Sequence, residues 1–207
     1  CKNQMAKLCD ALSPAARLIG AVNTVVCENG QLIGHNTDGV GFVRSLKDAG
    51  EDIKGKTMML LGAGGAATAI CTQAAIDGAK EILVFARPTS RFWSRMQKLA
   101  QEISRFYPCQ VSLMDQADET RFLQALKESQ LLVNGTSVGM APNIEDSLIT
   151  DVKYFHPDLF VYDAIYNPKQ TRLLKLAEEA GCRNCNGLYM LLYQGAEAFR
   201  LWTGQDM

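Results

Sequence analysis

The stretch "TMMLLGAGGAATAICTQAAIDGA" constrains this chain more than any other. A short apolar run ends at Gly62, Ala63, Gly64, Gly65 and Ala66, and an alanine-rich segment follows. A strand that breaks at glycines and re-enters as a helix makes a tight turn and lets the backbone approach a pyrophosphate. The first helical N–H groups then face the phosphate oxygens. Ala67 stands where the GxGxxG spacing has its third glycine, a place where close helix–strand packing asks only for a small side chain. A glycine turn packed for tightness alone meets the same pattern, so the flanking strand and helix are what favour a dinucleotide site.

The rest of the chain supplies the sheet for that turn. Strands are expected at "EILVFA", "CQVSLMD", "LLVNGT" and "LFVYDAIY". Helices are expected at "RFWSRMQKLAQEISRF", "ETRFLQALKES", "QTRLLKLAEEAG" and "GLYMLLYQGAEAFRLW". This alternation predicts an α/β fold, a Rossmann-like doubly wound parallel sheet built from βαβ units. The first 50 residues have a different texture. Met5, Leu8 and Leu12 share one face of a helix expected over "NQMAKLCDAL". Ser13 and Pro14 form an N-cap and first helical position. "AVNTVVCENGQLIGHNTDG" reads as a hairpin turning at Asn29-Gly30. Asp38 is placed to cap the helix "GVGFVRSLKDAG", which closes at Gly50.

Composition narrows the partners. Net charge is −1, with 21% charged and 47% hydrophobic residues, which argues against a nucleic-acid footprint or an anionic membrane surface. Glycines break the longest apolar runs, so no membrane span is expected, and no targeting segment is visible. Seven cysteines, an odd number without a framework, fit a reducing cytoplasm. Cys182 and Cys185 form a CxxC, but the chain has no second pair and only His35 and His156. Zinc normally needs more, so no metal is expected and the pair reads as ordinary thiols.

The loop after the second strand bears on the cofactor. An NAD-binding unit usually ends that strand in Asp or Glu, which takes the ribose hydroxyls. Here "LVFARPTSRFW" offers Arg87, Thr89, Ser90 and Arg91 with no carboxylate. Two cations and two hydroxyls suit a 2′-phosphate, favouring NADP with NAD as the alternative. The plainer reading leaves Arg91 and Arg95 solvating an exposed helix face.

Taken together, "AVNT", "GHNTDGVGF", "LLGAGGAATAI", "NGTSVGM", "YNPKQTRLL" and "GLYMLLYQGAEAF" resemble the shikimate dehydrogenases in order and spacing, over essentially the whole chain. The likeness is to the branch that includes quinate/shikimate dehydrogenases. That resemblance implies a catalytic Lys2 in "CKNQMA" and a catalytic Asp38 in "NTDG". It implies substrate contacts from Asn23, Tyr166 and Gln194, and a nicotinamide lining from Thr136, Gly139, Gly187 and Met190. It also implies a family segment before "CKNQMA", absent from this sequence, with further strands of the substrate domain and a Ser-x-Ser pair for the substrate carboxylate. Residues 1–53 would be the later part of the substrate domain, 54–186 the Rossmann domain, and 187–207 a helix returning to the substrate domain.

The activity implied is NADP-dependent interconversion of 3-dehydroshikimate and shikimate in aromatic amino acid biosynthesis, extending to the quinate pair. The partner is a small molecule, and the protein a cytoplasmic monomer or homodimer. The alternatives are an NAD-preferring quinate dehydrogenase, another reductase carrying the same nucleotide module, or a non-catalytic nucleotide-binding module. Chemistry agrees with the implied roles: an ammonium stabilises developing oxyanion charge and donates a proton, and either Lys2 or Asp38 can move it. Asn and Gln both donate and accept, which suits hydroxyl recognition. Taken singly, each residue also has a structural reading: Asp38 as a helix cap, Lys2 as a surface lysine, Asn23 as a hairpin brace, Tyr166 as a core aromatic, Gln194 as a solvent-facing side chain.

Overall fold

The structure, a computed structural model, describes residues 2–207; Cys1, counted among the seven cysteines, lies outside them. Helix α1 (Lys2–Met5) opens the described chain and is followed by strand β1 (Ala11–Leu12), helix α2 (Pro14–Ile19), β2 (Thr24–Glu28) and β3 (Gln31–His35). The helix expected over "NQMAKLCDAL" is therefore a single turn. Ala11 and Leu12 instead pair in parallel with Ile33 and Gly34 of β3, and the Asp10 carboxylate accepts the Leu32 N–H at 2.7 Å. Long-range pairing outcompetes the local helical period here, and Leu8 is left exposed.

Local chemistry shapes α2 and the hairpin after it. Ser13 Oγ accepts the Ala16 N–H at 3.3 Å and Pro14 occupies the first helical position of α2. Asn29 and Gly30 take φ values of 51° and 79° between β2 and β3, the pair of positive φ angles that a type I′ turn requires. The result is a three-stranded sheet ordered β1-β3-β2.

After α3 (Asp38–Asp48) the chain alternates through β4 (Thr57–Leu61), α4 (Gly65–Ile76), β5 (Glu81–Ala86), α5 (Trp93–Phe106), β6 (Gln110–Asp115), α6 (Glu119–Glu128) and β7 (Leu131–Asn134). A 3₁₀ turn (Val152–Tyr154), β8 (Phe160–Asp163), α7 (Arg172–Glu179), β9 (Asn184–Asn186) and α8 (Leu188–Thr203) complete it. All pairings within the second sheet are parallel. Its order, β6-β5-β4-β7-β8-β9, is doubly wound, with the reversal between β4 and β7.

Why these strands are uniformly apolar is visible in the core. Met58, Leu60, Ile82, Val84 and Tyr162 face one layer with Phe42, Leu46 and Ile70. Met59, Leu61, Leu83, Phe85 and Val161 face the other with Leu126 and Leu174. Both faces are covered, so alternate residues of each strand are buried on opposite sides and no polar face is left.

The two sheets are joined through α3. It packs against α4 and α8 so closely that a Cβ on Gly39 would meet Ala69 O at 2.6 Å, and one on Gly41 would meet Met190 O at 2.6 Å. Ser45 on α3 shares a 2.7 Å hydrogen bond with the buried Tyr162 hydroxyl on β8. Helix α8 then reaches the first sheet, where Trp202 Nε1 donates to Val25 O at 2.9 Å. Among the described residues no helix is long and apolar enough to cross a membrane.

Candidate active site

In an open parallel sheet, ligands bind outside the carboxyl ends of the strands where the order reverses. That point, between β4 and β7, opens on a cavity of about 690 Å³ walled in part by Gly62, Gly64, Arg87, Ser90, Thr136 and Ile165. Gly62 has φ 104°, and a Cβ there would meet Thr136 Cγ2 at 2.8 Å, so the turn requires glycine. A Cβ on Gly135 would come within 3.0 Å of the Ala67 Cβ, which is the packing reason for a small residue at position 67. A Cβ on Gly64 or Gly65 would meet nothing within 4 Å. The first turn of α4 therefore presents bare backbone N–H groups to open space, and that turn contains no acidic residue. This arrangement suits a diphosphate.

A second cavity of about 510 Å³ adjoins it, walled by Lys2, Asp38, Gly65, Tyr166, Met190 and Gln194 among others. Ala66, Ala164 and Tyr166 belong to the walls of both. Here Lys2 Nζ donates to Asp38 Oδ2 at 2.7 Å across 36 residues of sequence. Their side chains are 54% and 20% exposed. An ion pair so open to solvent contributes at most about 1 kcal/mol to stability, so the fold has little need of it.

Asp38 does not cap its helix. Thr37 holds the N-cap position, without a side-chain cap bond, and Asp38 is the first helical residue, its N–H bonded to Asn36 Oδ1 at 3.2 Å. Its carboxylate is turned outward, where Asn23 Nδ2 donates to Oδ1 at 2.9 Å and leaves Oδ2 for Lys2. Asn23 is fixed in turn, its Oδ1 accepting the Thr37 N–H at 3.0 Å. It lies behind Asp38 rather than in the cavity wall.

The other expected residues distribute unevenly. Ala63, Ala66, Arg87 and Thr136 line the larger cavity, and Gly65, Gly187 and Met190 the smaller. Thr89, Arg91 and Gly139 wall neither; the Arg91 guanidinium lies 4.7 Å from the centre of the Phe92 ring. Gln194 is half-buried and donates to Leu191 O at 3.0 Å within its own helix. Tyr166 is 49% exposed, so it is not a core aromatic.

Sequence reasoning left Arg95 on a solvated helix face, whereas it lines the smaller cavity and donates to Ile19 O at the end of α2. It passed over Asp163, a fully buried carboxylate at the carboxyl end of β8. Burial pushes the Asp163 carboxyl above the usual carboxylate range, while hydrogen bonds from Thr171, Ile165 and Asn134 pull it back. An acidic residue ending the apolar run "LFVYD" was the available signal. The CxxC thiols are not activated. Burial raises both, Cys185 to about 12, and among the described residues no group of three potential metal ligands comes together.

Known proteins share this architecture. A family model described as the shikimate 5′-dehydrogenase C-terminal domain matches residues 187–207. A quinate/shikimate dehydrogenase of Escherichia coli O139:H28 (strain E24377A / ETEC) is 50% identical over 197 residues, covering 95% of this chain and 68% of that protein. The crystal structure of a Listeria monocytogenes shikimate 5-dehydrogenase in complex with shikimate and NAD is 48% identical. It superposes with a TM-score of 0.96 over 100% of this chain and 71% of that one. A shikimate dehydrogenase in complex with NADP+ is 35% identical, with a TM-score of 0.84 over 99% of this chain and 69% of that one.

Proposed function

The chain belongs to the shikimate dehydrogenase family, whose members are NAD(P)-dependent oxidoreductases, and on that premise we propose that it interconverts 3-dehydroshikimate and shikimate with NADP. The same site is expected to accept the quinate pair, and the protein to work in the cytoplasm. Residues 54–186 form the dinucleotide-binding unit, while 1–53 and 187–207 belong to the substrate side. One observation carries the reading: Lys2 and Asp38, far apart in sequence, meet at 2.7 Å in the wall of a cavity that adjoins the glycine turn.

The dinucleotide, when bound, supplies or accepts the hydride. The chain supplies the rest. The bare N–H groups at the start of α4 and Gly64 would hold the diphosphate, and Arg87, in the wall of the same cavity, would meet a 2′-phosphate. The smaller cavity, walled in part by Gln194 and Tyr166, would take the ring substrate, with both side chains available to its hydroxyls. In reduction, Lys2 Nζ would donate the proton taken up by the carbonyl oxygen. Asp38 orients that ammonium and steadies its charge, and Asn23 holds Asp38 in the outward rotamer that makes this geometry. In oxidation the same atoms return the proton.

Lys2→Ala in the full-length protein tests this. General acid–base groups contribute about 10²–10⁴-fold, so kcat should fall by that factor with the dissociation constant for cofactor unchanged. Turnover retained within tenfold would remove Lys2 from the reaction. A second reading, NAD as the working cofactor, is favoured by the NAD complex of the Listeria relative. The ratio of kcat/KM for NADP and NAD decides between them.

A further inference from the structure

The polar groups at the ends of β7 and β8 and in the loops after them form one continuous network, and every hydrogen in it has a single sensible place. Asp163 Oδ2 accepts from Thr171 Oγ1 at 2.6 Å, and Oδ1 accepts from Asn134 Nδ2 and from the Ile165 N–H, each at 3.0 Å. Asn134 donates its second amide hydrogen to Val138 O at 3.2 Å. Its Oδ1 accepts from the Thr136 N–H at 3.0 Å and the Thr136 hydroxyl at 2.7 Å. The Val138 N–H then donates to Thr136 Oγ1 at 3.0 Å.

Both chain segments held this way line the site. Thr136 and Val138 belong to the loop after β7, and Ala164, Ile165 and Tyr166 to the loop after β8. Thr171 pins the far end of the second loop, since its side chain also caps α7. The network meets at one carboxylate, which itself touches neither cavity.

We propose that Asp163 is the positioning residue for the nicotinamide half of the site, its buried carboxylate locking the loop after β7 to the loop after β8. The inference rests on the dinucleotide reading above. A carboxylate is required because all of its bonds are accepted. In an Asp163→Asn chain, one amide orientation aims N–H groups at Asn134 and Ile165, which are themselves donors. The other aims them at Thr171, whose hydroxyl then loses its acceptor in a buried place. A neutral isostere of the same size therefore misfits in either orientation.

The test separates positioning from general stability by comparing ligands with and without nicotinamide. Dissociation constants are measured for NADPH and NADH, and for ADP-ribose and its 2′-phosphate. Asp163→Asn and Thr171→Val, the latter removing the hydroxyl that donates to Asp163 and caps α7 while keeping the side-chain shape, should each weaken the complete dinucleotides about tenfold. The nicotinamide-free ligands should stay within twofold. Thr171→Ser should restore wild-type ratios. Leu132→Ala, a core change on β7 outside the network, should lower Tm without altering the ratio. If Asp163→Asn does not fold, Thr171→Val decides. Equal losses for both ligand classes, or lowered Tm with unchanged ratios, overturn the proposal. A wild-type protein that binds neither class overturns the dinucleotide reading and this inference with it.

Discussion

Arg87 and Arg91 carry the same charge in the same short loop, and only the fold separates them. Arg87 lines the larger cavity, while Arg91 lies over Phe92. A charge-assisted hydrogen bond is worth about 1.5–3 kcal/mol, so Arg87→Ala should weaken NADP by roughly 10–100-fold and NAD far less. Arg91→Ala should leave both nearly unchanged. Titration with the two dinucleotides checks this, and equal losses for NADP and NAD would refute phosphate recognition by Arg87. The cysteines give a second outcome at this scale. Cys71 and Cys182 are buried and their thiols raised, and Cys109 is pushed up to about 11 and Cys185 to about 12. Since the thiolate is the nucleophile, iodoacetamide near neutral pH should modify the exposed Cys27 and leave these four intact in peptide mapping. Residue types were legible from sequence here; their exposure was not.

The helix α3 shows what an element adds. Its amphipathic pattern and the preceding "NTDG" were readable, but not that its two glycines admit neighbouring helices at backbone distance. A Cβ on Gly41 would sit 2.6 Å from Met190 O and 2.7 Å from Gln194 N. Both contacts are backbone of α8, which cannot give way locally. Overpacking costs about 1–3 kcal/mol, against about 1 kcal/mol gained from alanine's helix propensity. Gly41→Ala should therefore lower the denaturation midpoint, and a raised midpoint would contradict the close crossing. Asp38 at the start of α3 and Gln194 on α8 line the same cavity, so the variant should also raise KM for the ring substrate. At the first helix the local signal misled. The spacing of Met5, Leu8 and Leu12 suggested one long helix, yet the parallel pairing of β1 with β3 ended it after Met5.

Across the molecule, one apolar core runs from Phe42 and Leu46 on α3 through β4, β5, β7 and β8 to Met190 on α8. Ser45 and Tyr162 add a buried hydrogen bond across the same boundary. Because α3 and α8 share one apolar core with the larger sheet, calorimetry should show one transition whose calorimetric and van't Hoff enthalpies agree; two resolved transitions would contradict that continuity. The sequence by itself determined the alternation of strands and helices, the glycine turn and the hairpin. Each depends on neighbours within a few residues: apolar runs, positive-φ positions and helix caps. Only the tertiary structure decided which side chains meet. Lys2 with Asp38, and Asp163 with Asn134 and Thr171, are brought together by strand order and helix crossings. Contacts across tens of residues leave no local period for sequence reading to detect.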